Sequence, residues 1–188
     1  MTRLIMSVAV LGMMFGSVVS AADTATECLK SGDAIGAFYV TKVAGAEDDG
    51  VENGQELCYR CKYGKRPMVM VFARDTGGKV DQLVKELDSA VGANKEAQLK
   101  SFVTLIGEDA SALKENAAKF AKASGAKNVP VVVAQDNVTG PTSYKIAKDA
   151  AVTIIVANES EVIASHSFDK AEKVDVAAVM GEVKKMLN

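Results

Sequence analysis

Two things that a chain needs for work on nucleic acid or inside a bilayer are missing here. Positive charge is not in excess: 22 Lys and Arg stand against 24 Asp and Glu, a formal net charge of -2. That near-balance gives no electrostatic case for nucleic acid or an anionic membrane surface. Beyond the first 21 residues no apolar run is long enough to span a bilayer, which takes about 20 residues. Internal repeats and low-complexity linkers are also missing, so one domain is the simplest organisation. Histidine occurs once, as His166, and cysteine three times, as Cys28, Cys58 and Cys61. Three cysteines leave one over however they pair.

The N-terminus is where the hydrophobicity lies. Arg3 gives a short positive start, and residues 4–19 are apolar except for Ser7, Gly12, Gly16 and Ser17. Val19-Ser20-Ala21 then places small residues where signal peptidase reads. We read residues 1–21 as a cleaved secretory signal, cut after Ala21 or Ala22, and residues 22–188 as the mature domain. The run is short for an anchor and no basic cluster follows it. Thr26 and Glu27, just before Cys28, are too polar for a lipid-attachment box. The expected location is periplasmic or secreted, with no membrane span after cleavage.

Apolar period predicts the elements of the domain. Strands are expected at 38–43, 68–73, 102–106, 129–134 and 152–156, and in the alternation of Val162, Ala164, His166 and Phe168 along one face. The run at 68–73 is apolar throughout, as in a strand buried on both faces. Helical spacing marks 79–93, the stripe Leu113, Ala117, Phe120 and Ala121 ended by Gly125, and the stripe Val176, Val179, Met180, Val183 and Leu187. Pro141 suits the first turn of a short helix holding Tyr144 and Ile146, and Asn158-Glu159-Ser160 reads as a hairpin turn. Strand–helix alternation implies an α/β fold with a mostly parallel sheet, covered on both faces, and an antiparallel hairpin at its end.

In this order the chain resembles the thioredoxin-like superfamily, and within it the peroxiredoxin branch (alkyl hydroperoxide reductase and thiol-specific antioxidant proteins). Gly32-Asp33-Ala34 leading to Phe38 is similar to that family's opening Gly-Asp-x-x-Pro-x-Phe segment, with Gly36 near the proline's place. Residues 67–74 resemble its central strand, and Ile106-Gly107-Glu108-Asp109 its strand, Gly-x-Asp, helix unit. Residues 131–136, Tyr144 and residues 152–156 complete the pattern. The resemblance implies a three-layer sandwich, a central mixed β-sheet with helices on both faces.

The departures fall on the chemistry. Thr76 matches the family's threonine, but the place of its peroxidatic cysteine holds Lys79. The arginine that precedes the 152–156 strand in the family is replaced by Asp149-Ala150-Ala151, and no proline lies near Val152 where thioredoxins carry their cis-proline. A peroxide-reducing thiol must be ionised and its leaving oxygen supported by donors, and a lysine supplies no thiol. Peroxidase activity is therefore not expected.

One motif remains. Cys58-Tyr59-Arg60-Cys61 precedes the central strand and is followed by Lys62, Lys65 and Arg66. Read functionally, Cys58 and Cys61 serve thiol–disulfide redox or redox sensing: as catalytic residues, Cys58, expected to be the more exposed, attacks as a thiolate stabilised by Arg60, Lys62, Lys65 and Arg66, and Cys61 resolves it. The partner would be a protein dithiol or disulfide. Read structurally, the pair is a staple in an exported scaffold or binding domain, with no catalysis. An extended segment would hold Cys58 and Cys61 about 10 Å apart, so a bond between them needs a turn; otherwise Cys28 pairs with one of them. Cys28, Cys58, Cys61 and His166 form a formal Cys3His zinc set, but an isolated histidine in an alternating strand is more often a core or edge residue. We assign no metal and no cofactor. Thr76-Gly77-Gly78 is read as a tight turn before it is an anion site, Met68 and Met70 as core, and Glu47-Asp48-Asp49 as a solvated loop.

Overall fold

A computed structural model describes residues 28–188; the signal segment read at 1–21 lies outside the described residues. Two short strands, β1 (Val40–Ala44) and β2 (Glu56–Leu57), flank an acidic loop and lead into a short helix, α1 (Tyr59–Tyr63). Then come β3 (Met68–Ala73), α2 (Val80–Ala93), β4 (Lys100–Leu105), α3 (Ala110–Ser124) and β5 (Val131–Ala134). A 3-10 turn at Thr142–Tyr144 precedes the hairpin of β6 (Val152–Asn158) and β7 (Glu161–Phe168). A second 3-10 turn, Ala171–Lys173, leads to α4 (Val176–Leu187).

The seven strands form one sheet in the order β2-β1-β5-β4-β3-β6-β7. β3 lies inside it, parallel to β4 and antiparallel to β6, and all six of its residues are buried, as its unbroken apolar run requires. The sheet is mixed. Only the β3–β4 and β4–β5 pairings are parallel, which corrects the expectation of a mostly parallel sheet. β1 runs antiparallel to β5 and to β2, to which it is joined as a hairpin, and β6 runs antiparallel to β3 and β7.

Two cores sit on the two faces. On one, Val69, Val71, Val103 and Ile154 pack against the apolar stripes of α2, α3 and α4. Asp109 caps α3 by accepting the amides of Ser111 and Ala112, and Gly125 ends it in the left-handed conformation, as the sequence predicts. The other face has only α1, the 142–144 turn and the N-terminal segment to cover it. Rings fill that layer: Phe38 lies 5.6 Å from Phe72, 5.9 Å from Phe102 and 5.1 Å from Tyr144. Large aromatic side chains bury 150–250 Å² each, so short elements suffice to close it.

Three local expectations change. The first strand starts at Val40 and not 38: pairing with β5 and β2 begins at Val40, and Phe38 packs in the aromatic core ahead of it. Pro141 precedes the 3-10 turn as its cap, and Ile146 lies beyond it. In β7 the pairing shifts: Ala157 faces Val162, while Val156 faces Ala164. Ile163 is the extra residue of a β-bulge, so Val162 belongs to the aromatic core while Ala164 and Phe168 pack on the helical side. Simple alternation had placed them on one face. The hairpin turn itself is as expected, with Glu159 and Ser160 both at positive φ.

Candidate functional site

β2 delivers Cys58 to the start of α1. Cys58 is extended (φ -107°), and its sulfur accepts a hydrogen bond from the Cys61 amide at 3.1 Å. The helical turn brings the two Cα atoms to 5.2 Å, and Cys58 and Cys61 are joined by a disulfide. α1 is thus the turn that the bond requires. Cys28 is the cysteine left over, free and half-buried.

The exposure of the pair reverses the expectation. Cys58 is 8% exposed, whereas Cys61 is open to solvent. The helix turns Tyr59 and Tyr63 inward onto Phe102, at 5.7 and 6.0 Å, and this leaves Cys61 on the outer side. The four cations do not all serve the sulfur either. Arg60 donates from Nε to the Ile35 carbonyl. Arg66 donates to Gln98 and to the carbonyls of Lys62 and Tyr63. Lys65 lies 3.9 Å from Glu159, both exposed. The direct partner of the Cys58 sulfur is the Cys61 amide.

Beneath α1 is a polar cluster that the sequence reading missed. Lys42, on β1, is 1% exposed. Its ammonium donates to Asp49 at 2.8 Å and to the carbonyls of Ala46 and Val51 at 2.9 and 2.7 Å, so each N–H has a partner. Asp49 also accepts the Val51 amide and the Tyr59 hydroxyl. Asp49 is thus the counter-ion of a buried lysine, not part of a solvated loop. Burial first, and then the bond to Asp49, pushes the Tyr59 hydroxyl far above the ordinary tyrosine range, so Tyr59 acts as a fixed donor. Burial does the same to Tyr63 and Tyr144. The only hint in sequence was a lysine inside an apolar strand.

A cleft of ≈ 440 Å³ opens beside α1, with Lys62, Tyr63, Arg66, Lys100 and Asp48 in its wall. A second hollow of ≈ 400 Å³ shares Asp48 and Lys100 and adds Lys95 and Lys127.

The place of the active site in the family that the chain resembles holds a tight turn, in which Gly77, Gly78 and Lys79 are exposed. Asp75 accepts the Gly77 amide, Gly78 has φ +55°, and a Cβ there would lie 2.8 Å from the Glu172 nitrogen. The Lys79 amide donates to the Ala171 carbonyl. The 171–173 turn therefore packs over the start of α2. The Cys58–Cys61 pair belongs to the opposite face, since Tyr59 and Tyr63 lie in the aromatic core and Val80 and Leu83 in the helical one. His166 pairs with Ile154, on the helical side, and its Nε2 is buried without a hydrogen-bond partner among the described residues. The structure does not bring it to Cys58 and Cys61, which lie on the other face, and among the described residues no group of three His, Cys, Asp or Glu could hold a metal ion.

No family model matches the chain, and no curated protein does. Solved structures do. AhpC of Mycobacterium tuberculosis superposes with a TM-score of 0.64 at 10% identity, over 86% of this chain and 100% of that one. A protein assigned as thiol:disulfide interchange protein DsbE, from Chlorobium tepidum, gives 0.63 at 14% identity, over 85% and 99%. A thiol-disulfide oxidoreductase from Bacteroides fragilis gives 0.58 at 13%, over 82% and 99%. The fold is thioredoxin-like, with structural relatives among both peroxiredoxins and thiol-disulfide oxidoreductases, as the sequence resemblance implies.

Proposed function

We propose that this thioredoxin-fold protein performs thiol–disulfide exchange through Cys58 and Cys61, with a protein dithiol as partner. The observation that carries the reading is the asymmetry of the bond: Cys61 is exposed, and Cys58 is buried with its sulfur on an amide. An incoming thiolate attacks the Cys61 sulfur, the Cys58–Cys61 bond breaks, and Cys58 leaves as a thiolate held by the Cys61 N–H. The partner's second thiolate then attacks its own sulfur in the mixed disulfide and releases Cys61. Two electrons pass from the partner, which leaves with a disulfide, to this protein, which keeps two thiols. A well-supported thiolate is the better leaving group. The mixed disulfide therefore forms on Cys61, the reverse of the role order expected from sequence.

A staple is the second reading, and the burial of Cys58 favours it. Its magnitude is against it. Closing a four-residue loop removes chain entropy worth about 2 kcal/mol, against about 3 kcal/mol for a 15-residue loop. Equilibration with glutathione redox buffers separates the two. A potential above about -300 mV supports exchange. A lower one, with Cys58→Ser and Cys61→Ser both strongly destabilised, leaves the staple. Mixed with a disulfide-bonded partner, reduced Cys58→Ser should attack through Cys61 and trap a mixed disulfide with release of one partner thiolate, and Cys61→Ser should trap none.

Export is part of the same reading: residues 1–21 are the signal and 22–188 the mature domain. N-terminal sequencing of the exported protein should find Ala22 or Asp23; a chain starting at Met1 overturns it.

A further inference from the structure

Five cations line the joined hollows beside α1: Lys62, Arg66 and Lys100 in the nearer, Lys95 and Lys127 in the farther. The facing acids are Asp48 and Asp49, and Asp49 is already paired with Lys42. In a chain whose net charge is -2 this is a local reversal of sign. Among the described residues no ion pair joins any of the five to a carboxylate. Two of them are held by neutral groups instead. Arg66 is fixed by Gln98 and two main-chain carbonyls, and the Lys100 ammonium stands 5.8 Å from the Tyr63 ring centroid. Cations ordered without a carboxylate lose less freedom on meeting an anion.

Position decides which anion. Lys62 follows the exposed Cys61 directly and lines the nearer cleft, so residues flanking a thiol presented to that sulfur come within reach of these cations. Resting on the exchange chemistry proposed above, we propose that the cleft selects its partner: a protein whose reactive cysteine is followed by an acidic segment, which docks on Lys62, Arg66 and Lys100. The acidic groups supply encounter and register, and the chemistry stays on the sulfurs.

The test uses the oxidised protein and three reduced peptides with one cysteine each, followed by three aspartates, three asparagines or three lysines. Dithiothreitol is the uncharged comparison. At low salt the aspartate peptide should reduce the disulfide about tenfold faster than the asparagine peptide, and the lysine peptide should be slowest. The ratio of aspartate to asparagine rates should fall towards one in about 0.5 M salt and in Lys62→Glu/Lys100→Glu. Lys119→Glu, on the exposed side of α3, should leave the ratio unchanged. Equal rates for the aspartate and asparagine peptides, or a ratio untouched by the double reversal, overturn the docking site and leave the exchange reading standing. Resistance of the bond to dithiothreitol overturns both.

Discussion

Lys42 and Asp49 show what a single residue can hold in place. Removing one partner of a buried ion pair strands the other, at about 3–5 kcal/mol. Asp49 keeps some solvent contact, so Lys42→Met should cost about 3 kcal/mol in urea unfolding. Lys42→Met with Asp49→Asn should cost less than the two single changes added together. A loss under 1 kcal/mol for Lys42→Met would mean that the pair does not anchor the 45–54 loop. Gly78 is the second such residue. Its φ of +55° disfavours any side chain, and a Cβ would meet the backbone of Ala171 and Glu172. Gly78→Ala should therefore cost about 2 kcal/mol or more, read as a lowered melting temperature. The turn was visible in sequence as Thr76-Gly77-Gly78. The buried lysine was not, because its burial depends on a loop folding back from nine residues away.

At the level of elements, what was legible follows from length. α2, α3 and α4 run for three to four turns, long enough for a 3.6-residue stripe to repeat, and their positions agree with the sequence reading. β3 declared itself by being apolar at every position. β2 and α1 have two and five residues, too few for any period, and Cys58 sits at their junction with Cys61 inside α1. The bulge at Ile163 escaped for a related reason: one inserted residue keeps the composition of a strand while changing its phase. The 76–79 turn also carries a prediction about one activity. With Lys79 in the cysteine's place, the protein should show no turnover with hydrogen peroxide and a dithiol. Steady turnover above the reagent background, abolished by Cys58→Ser, would show that peroxide chemistry had moved to α1.

Over the whole molecule, the order of elements along the chain and the two-faced cover were readable from alternation and from family resemblance, whereas the order of strands in the sheet and the unequal thickness of the two covers were not. Three long helices roof one face; a five-residue helix, a 3-10 turn and packed rings roof the other. Local opening is easiest where few backbone hydrogen bonds lie between solvent and core. Deuterium should accordingly enter the amides of α1 and of residues 142–144 well before those of β3 or α2, in a step short of global unfolding. Uniform protection across both covers would contradict this. The soft side is also the side of the disulfide. In Cys61→Ser, alkylation of Cys58 should keep pace with deuterium uptake in α1, not with unfolding of the whole chain. Breathing of one thin roof then gives a hidden sulfur its moments of contact with the outside.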